Sequence, residues 1–470
     1  SGFADIRVER IFLDDWQKKP TPAIKALQVS GRSDLAKLTT LLQQLGAMQP
    51  EQKFGGDAVF SLDLAEKNKD IEIAGTTSRG NSGTVKLDID QFTYSTIGKK
   101  TRGKKAKEEL LIEQEKLVFR SRLHGDLMAG NVQFNTFDIE SAPLSLQADG
   151  ELQTSGKKPH FSLDGHATPD LASLVAILNG MYPLGIQATG KKKEKFNLYY
   201  PLSPEEKEKA KINLRFATKV YADSFSKSGI DVSRLTLDTD MKKGVMANVL
   251  KGTLNEGWLQ VSPSIDYTQT PPLLTMAEGE QILTDVHLEE ALTEGILKAI
   301  HPIFGSLATP VGVINVRMDR FSLPLEEKGM EKVNFKAFFD LSGVALEPKG
   351  VLSSILDMAG YVDRTLTMKK KSITCEGVQG QISCTPIKVT IAGSEMVISG
   401  SAGMDGSLNY IVEVPVTKRL VGKKGYALLK GSTLKVPIRG TKDKPIYSRK
   451  ALMQASSDLL KQAAGQATKN

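Results

Sequence analysis

Apolar residues alternate with polar ones at a period of two along most of the chain, and no other feature limits the fold so strongly. Ala58, Phe60, Leu62 and Leu64 are separated by Val59, Ser61 and Asp63, and Val85, Leu87 and Ile89 by Lys86 and Asp88. The same pattern returns at Ile314, Val316 and Met318, at Tyr410, Val412 and Val414, and at Leu434, Val436 and Ile438. Each run reads as a strand with one apolar and one mostly polar face. Turn sequences separate the runs, among them Gly55-Gly56, Asn81-Ser82-Gly83, Asn255-Glu256-Gly257, Asp405-Gly406-Ser407 and Gly440-Thr441-Lys442-Asp443. Connections this short imply antiparallel meanders, because parallel neighbours need long crossovers.

Helical signals are few. Ser33 is placed to cap a helix over Asp34–Leu45 with Leu35, Leu38, Leu41, Leu42 and Leu45 on one stripe. Thr168 is placed to cap a second, with Pro169 at its first position. Leu288, Leu292, Ile296, Ile300 and Phe304 recur every four residues until Pro302 interrupts them. Leu352, Ile355 and Leu356 suggest a short helix, and Leu452, Ala455, Leu459, Leu460 and Ala463 a terminal amphipathic one. A strand, a glycine and an Asp-Leu-Ala helix opening occur twice, at Gly31 with Asp34 and at Gly165 with Asp170. Such recurrence favours a repetitive architecture over one closed enzyme domain.

A sheet with one apolar face has to cover that face. Five short helices are too few for the number of strands. Either the sheet closes on itself, or its inner face remains as a groove for something apolar. A trough lined by Leu, Ile and Val suits acyl chains. The expected fold is therefore mainly β: a long twisted antiparallel sheet forming an apolar groove, with a few amphipathic helices.

Composition removes other classes. The net charge is +8 over 470 residues, and 17 Phe, 10 Tyr and 2 Trp are too few for a stacking platform, so no nucleic acid is expected. Five His and two Cys do not supply a zinc or iron–sulfur framework, so neither metal nor cofactor is expected. Gly-x-Ser-x-Gly, His-Glu-x-x-His and phosphate-binding glycine motifs are missing from the sequence, so no catalytic residue is assigned. His287 and His301 read as packing or capping residues, and Asp238 and Asp240 as solvated strand positions. No run is long enough to be a transmembrane helix. The opening Ser1-Gly2-Phe3, without an initiating Met, reads as a processed chain or a fragment. Basic runs at Lys99–Lys107, Lys191–Lys195 and Lys369–Lys371 fit solvated loops or contact with anionic headgroups.

Several segments carry a resemblance. Gly244–Pro263 has a Gly-started strand, a polar turn with Gly and a strand ending near Pro, and resembles the AsmA-like family. Ile296–Pro302, Gly312 and Leu323-Pro324-Leu325 look like a further segment of some members. Val389–Val416, with Gly393, Gly400 and Asp405-Gly406, and Val436–Pro445, with its Gly-Thr…Pro turn, are similar to the family's C-terminal region. The resemblance implies a repeating β-groove protein related to TamB, facing the periplasm and conducting phospholipid between membranes. It brings no catalytic residues. Members usually begin with one inner-membrane helix, which this sequence lacks, so an anchor is expected in a preceding part.

Three regions follow: an N-terminal β-groove segment over 1–190, a C-terminal AsmA-like β-groove domain over 191–446, and a helix and tail over 447–470. The expected function is non-enzymatic phospholipid binding and transfer between the inner and outer membranes; the alternative is an envelope assembly scaffold with a self-covered sandwich. A β-scaffold glycan-processing enzyme and a closed-pocket lipid carrier are further rivals. Lipid contact is assigned to one face of the C-terminal meander: Ile387, Val389, Ile391, Met396, Ile398, Tyr410, Val412, Val414, Leu434, Val436 and Ile438. Core burial has the same signature. A two-residue turn at Gln379-Gly380 pairs Cys375 with Cys384 in non-hydrogen-bonded register. In an oxidising periplasm that pair forms a cross-strand disulfide; otherwise the two are small buried apolar residues.

Overall fold

The computed structural model describes residues 4–14, 23–44, 48–49, 51–73, 76–97, 108–126, 130–155, 158–202, 210–298, 307–341, 344–362, 365–368, 372–442, 444–448 and 454–461. The chain is mainly β, with its strands in one large antiparallel sheet and a few short helices. It divides into two compact units, Ser1–Phe225 with Thr236–Met246, and Ser226–Leu235 with Ala247–Asn470. The division falls later in the chain than residue 190.

The first unit holds β1 (Ala4–Asp14), β2 (Ala23–Asp34), β3 (Gln52–Ile73), β4 (Thr76–Ile97), β5 (Glu108–Asp126), β6 (Asn131–Ser141), β7 (Leu144–Gln153), β8 (His160–Pro169), β9 (Ile186–Thr189) and β10 (Glu194–Pro201). It also contains most of β11 (Arg215–Lys227), and part of β12 (Ile230–Lys242). The strands pair antiparallel in the order β1, β2, β3, β4, β5, β6, β7, β8, β10, β11.

Both copies of the strand–glycine–helix unit form, with one change at the caps. The helix Leu35–Gln44 follows β2 directly, and the Asp34 carboxylate accepts from the N–H groups of Ala36 at 3.0 Å and Lys37 at 3.2 Å. Ser33 instead stays in the ladder opposite Ala58. In the second copy Thr168 and Pro169 pair with Ser145 and Leu144, so the helix starts at Leu171 and Asp170 caps it, accepting from Ser173 N–H at 3.1 Å. Strand pairing overrides the local preference of proline for a first helical position. The capping N–H of Lys37 and of Ser173 holds each carboxyl below the usual range. The repeated glycine has a steric reason: a Cβ on Gly31 would lie 2.5 Å from the Asp5 carbonyl oxygen and 2.9 Å from the Phe60 ring.

The second unit continues with β13 (Val245–Leu254), β14 (Gly257–Val261), β15 (Pro263–Asp266), β16 (Leu273–Met276), β17 (Glu280–His287), β18 (Leu307–Val311), β19 (Val313–Pro324) and β20 (Asn334–Asp340). It ends with β21 (Ala345–Pro348), β22 (Leu366–Met368), β23 (Ser372–Val378), β24 (Gln381–Ile391), β25 (Ser394–Gly403), β26 (Leu408–Pro415), β27 (Thr433–Gly440) and β28 (Pro445–Tyr447). Its main run of neighbours is β14, β17, β19, β20, β23, β24, β25, β26, β27, β28.

Helices cover the apolar face of this run. Leu352, Ile355, Leu356 and Ala359 of the helix Gly350–Ala359 are fully buried in the same cluster as the β23–β27 side chains. Leu420, Val421, Tyr426 and Leu429 of the helix Lys418–Leu429 join them, as do Ala455, Leu459 and Leu460 of the helix at 454–461. Lys349, just before Gly350, bonds Glu290 at 3.2 Å and Glu294 at 2.5 Å, tying the helix Glu290–Leu292 and its π-turn Thr293–Leu297 to that layer. Leu288 and Leu292 enter the core as their spacing predicts, while Ile300, His301, Pro302 and Phe304 lie outside the described residues.

The hairpin β23–β24 has the register implied by the Gln379-Gly380 turn, with Val378 opposite Gln381 and Cys375 opposite Cys384. The two sulfurs are bonded, and Cys375 has no exposed surface. Closing so short a loop stabilises the folded chain by roughly 2–3 kcal/mol through the unfolded state. Cys375→Ser with Cys384→Ser is expected to lower the denaturant midpoint of the second unit and make it insensitive to reductant. Equal midpoints with and without reductant in the parent protein would contradict this.

Candidate functional site

Register alone assembles one apolar face in the first unit. Val8, Val29, Leu62, Val85, Ser121, Phe137, Ala148, Gly165 and Phe196 stand in one cross-strand row from β1 to β10. Beside it runs Ile6, Gly31, Phe60, Leu87, Phe119, Ile139, Leu146 and Ala167. A third row holds Leu27, Leu64, Gly83, Leu123, Phe134, Gly150, Leu163, Leu198 and Phe216. A bulge in β6 puts both Phe134 and Phe137 on this face, opposite Gly150 and Ala148. With Phe119 and Phe161 they form an edge-on cluster, ring centres 5.1 to 6.3 Å apart.

The face packs on itself only partly. The cluster of Leu64, Leu123 and Val132, with Leu27, Leu62, Val85, Phe134 and Leu152 against it, draws every member from β2–β7 on one side of the sheet. Among the described residues no helix contributes a side chain to it. Phe60, Val85, Leu87, Phe119, Phe137, Ile139 and Leu146 are all half-buried. At the edge strand the rows run into the open: Ile6, Val8 and Ile11 are 58%, 56% and 57% exposed.

The sequence assigns lipid contact elsewhere, and there the structure closes the face. Ile387 stands opposite Ile398, Val389 opposite Met396, Val412 between Ile398 and Val436, and Val414 opposite Leu434. Val412, Val414, Leu434 and Val436 are each 1% exposed, Ile391 and Met396 0%, and Ile387, Val389 and Ile398 no more than 3%. Ile438 is partly buried against the same core, and Tyr410 is 5% exposed, its hydroxyl pushed up in pKa by burial. The helices Gly350–Ala359, Lys418–Leu429 and 454–461 contribute side chains to the same cluster, in which ten of these eleven residues are buried and Ile438 is partly so.

The opposite face of the first unit is polar and carries an open cleft of about 870 Å³ lined by Asp138, Asp149, Asp164, His166, Asn197 and Lys219, among others. Asp149 and Asp164 face each other across β7 and β8, both exposed, with Asn197 donating to Asp164 at 2.6 Å. Asp238 pairs with Lys219 at 3.2 Å and Asp240 with Lys242 at 2.8 Å. Among the described residues no group of three or more His, Cys, Asp or Glu is gathered for a metal ion. His287 is exposed, 3.5 Å from Glu256. Of the basic runs, Lys191, Lys192 and Lys193 are held by Asp170, Glu194 and Gln147, and Lys99–Lys107 and Lys369–Lys371 lie outside the described residues. No helix among the described residues is long and apolar enough to cross a membrane.

No protein-family model, no curated protein and no solved structure matches the chain.

Proposed function

We propose that this protein binds phospholipid without catalysing a reaction, and passes acyl chains along the apolar face of its first unit, between the inner and outer membranes of a bacterial envelope. The observation that carries the proposal is the half-buried apolar face from β1 to β10, which the described residues cover only in part, the helix Leu35–Gln44 lying against β3 and the helix Leu171–Met181 against β5. An acyl chain laid on it leaves water at roughly 0.8 kcal/mol per buried methylene, while its headgroup stays hydrated. The buried disulfide fits an oxidising compartment such as the periplasm.

The scaffold reading draws support from the second unit, whose apolar sheet face is covered by its own helices. The two readings describe different parts of one chain, one taking lipid and one providing a rigid core. Native mass spectrometry of the purified protein after incubation with phosphatidylethanolamine liposomes tests the proposal. Bound phospholipid is the expected result; a protein that stays lipid-free after incubation would leave only the scaffold.

A further inference from the structure

Where strands of the first unit end, three cations from separate segments converge. Lys158 lies just before β8, Arg215 opens β11, and Lys243 sits in the turn after β12. Together with Tyr199, Ile212 and Asn213 they line a cavity of about 190 Å³. None of these lining residues is acidic. None of the three cations has a carboxylate partner among the described residues. Elsewhere in this unit comparable lysines are neutralised, as in Lys219–Asp238 and Lys192–Glu194.

The site is ordered by neutral contacts. Arg215 stands directly opposite Tyr199 in the β10–β11 register, and its guanidinium lies over the Tyr199 ring, 5.0 Å from the centre. The other flank of Tyr199 is stacked by His160 at 4.8 Å, and His160 is fixed by Glu151 at 2.8 Å. Glu151 is thereby engaged outside the cavity. A planar guanidinium held in place, two lysines and the Asn213 amide offer the donor set of a tetrahedral oxyanion.

We propose that Lys158, Arg215 and Lys243 form a binding site for a phosphate-bearing anion. The site lies at the rim of the strands, where the apolar rows end in Phe161, Tyr200 and Phe216 on the other face. A phospholipid whose tails follow that face presents its phosphate at this rim. As a headgroup site the inference rests on the lipid reading above; as a phosphate site it stands apart from it.

The test uses the full chain and two probes: sn-glycerol 3-phosphate in solution, and vesicles of phosphatidylcholine and phosphatidylglycerol in equal parts. The variant Lys158→Gln/Arg215→Gln/Lys243→Gln is compared with Lys191→Gln/Lys192→Gln/Lys193→Gln, which removes equal charge elsewhere. All three target side chains are exposed, so melting is expected to be unchanged. The parent is expected to bind glycerol 3-phosphate by calorimetry, and the first variant to bind it at least about tenfold more weakly. The control is expected to match the parent. Binding of glycerol 3-phosphate without uptake of vesicle lipid would keep the site for free phosphates and remove the lipid reading. Equal lipid uptake by parent and first variant, with no binding of glycerol 3-phosphate, would keep the lipid reading and overturn the site. Equal weakening in both variants would reduce the site to diffuse charge and overturn it.

Discussion

Val412→Asp is expected to unfold the second unit. The side chain is 1% exposed and stands between Ile398 and Val436 within the apolar cluster. An uncompensated carboxylate there costs more than about 4 kcal/mol, a large part of the whole stability of a domain. The neighbouring Ile411 points to the other face and is 36% exposed, so Ile411→Asp is expected to change stability by less than about 1 kcal/mol. Circular dichroism melting and limited proteolysis of the two variants read this contrast. A folded Val412→Asp protein would mean that the helical layer opens readily, and would return the C-terminal meander to the candidate lipid face.

The second large effect is on binding rather than folding. Phe137→Asp places a charge amid Phe119, Phe134 and Phe161, on a half-buried face that water reaches. Access to water limits the loss of stability to about 1–2 kcal/mol. An acyl chain crossing the same spot loses the burial of three or four methylenes, roughly 3 kcal/mol, which is about a hundredfold in affinity. Lipid uptake from liposomes is expected to fall by that order while the melting curve stays cooperative. Uptake equal to that of the parent protein would place the lipid elsewhere, and loss of cooperative melting would mean that the face is core after all.

These two substitutions show what alternation conveys and what it leaves out. The strands Ala58–Leu64, Val85–Ile89 and Tyr410–Val414 form where the period of two places them, and their faces are sorted as expected. Yet Leu87 and Val412 carry the same signal and differ in burial, Leu87 half-buried and Val412 fully buried. What separates them is the layer above, and that layer depends on helices with weak local signatures. The helix Lys418–Leu429 is basic, contains Gly422 and Gly425, and is kinked at Gly422 with φ 74°, so no clean apolar stripe announces it. Its stop-and-start geometry nevertheless brings Gly425 close enough for a Cβ there to lie 2.7 Å from Leu460. Thr417 was the available signal: its hydroxyl caps Leu420 N–H at 3.3 Å.

The caps teach a related lesson. Asp34 and Asp170 replace Ser33 and Thr168 because β2 keeps pairing through Asp34 and β8 through Pro169. Ladder hydrogen bonds outrank a good capping residue one or two positions early. The cation cavity was illegible for another reason. Lys158, Arg215 and Lys243 are isolated in sequence, and only the β10–β11 register and the turn after β12 gather them. The conspicuous run Lys191–Lys193, by contrast, is spent on local partners.

The proposed lipid face of the first unit is tested most directly by photocrosslinking at two adjacent positions. Leu87 lies on the apolar face between Phe60 and Phe119, and Lys86 lies on the polar face between Ser61 and Arg120. A photoreactive phenylalanine analogue at each position, irradiated with radiolabelled phospholipid vesicles, separates the two faces within one residue. A lipid adduct at position 87 and none at position 86 is the predicted result. Equal labelling at both positions, or labelling at neither while the protein is folded, would contradict it.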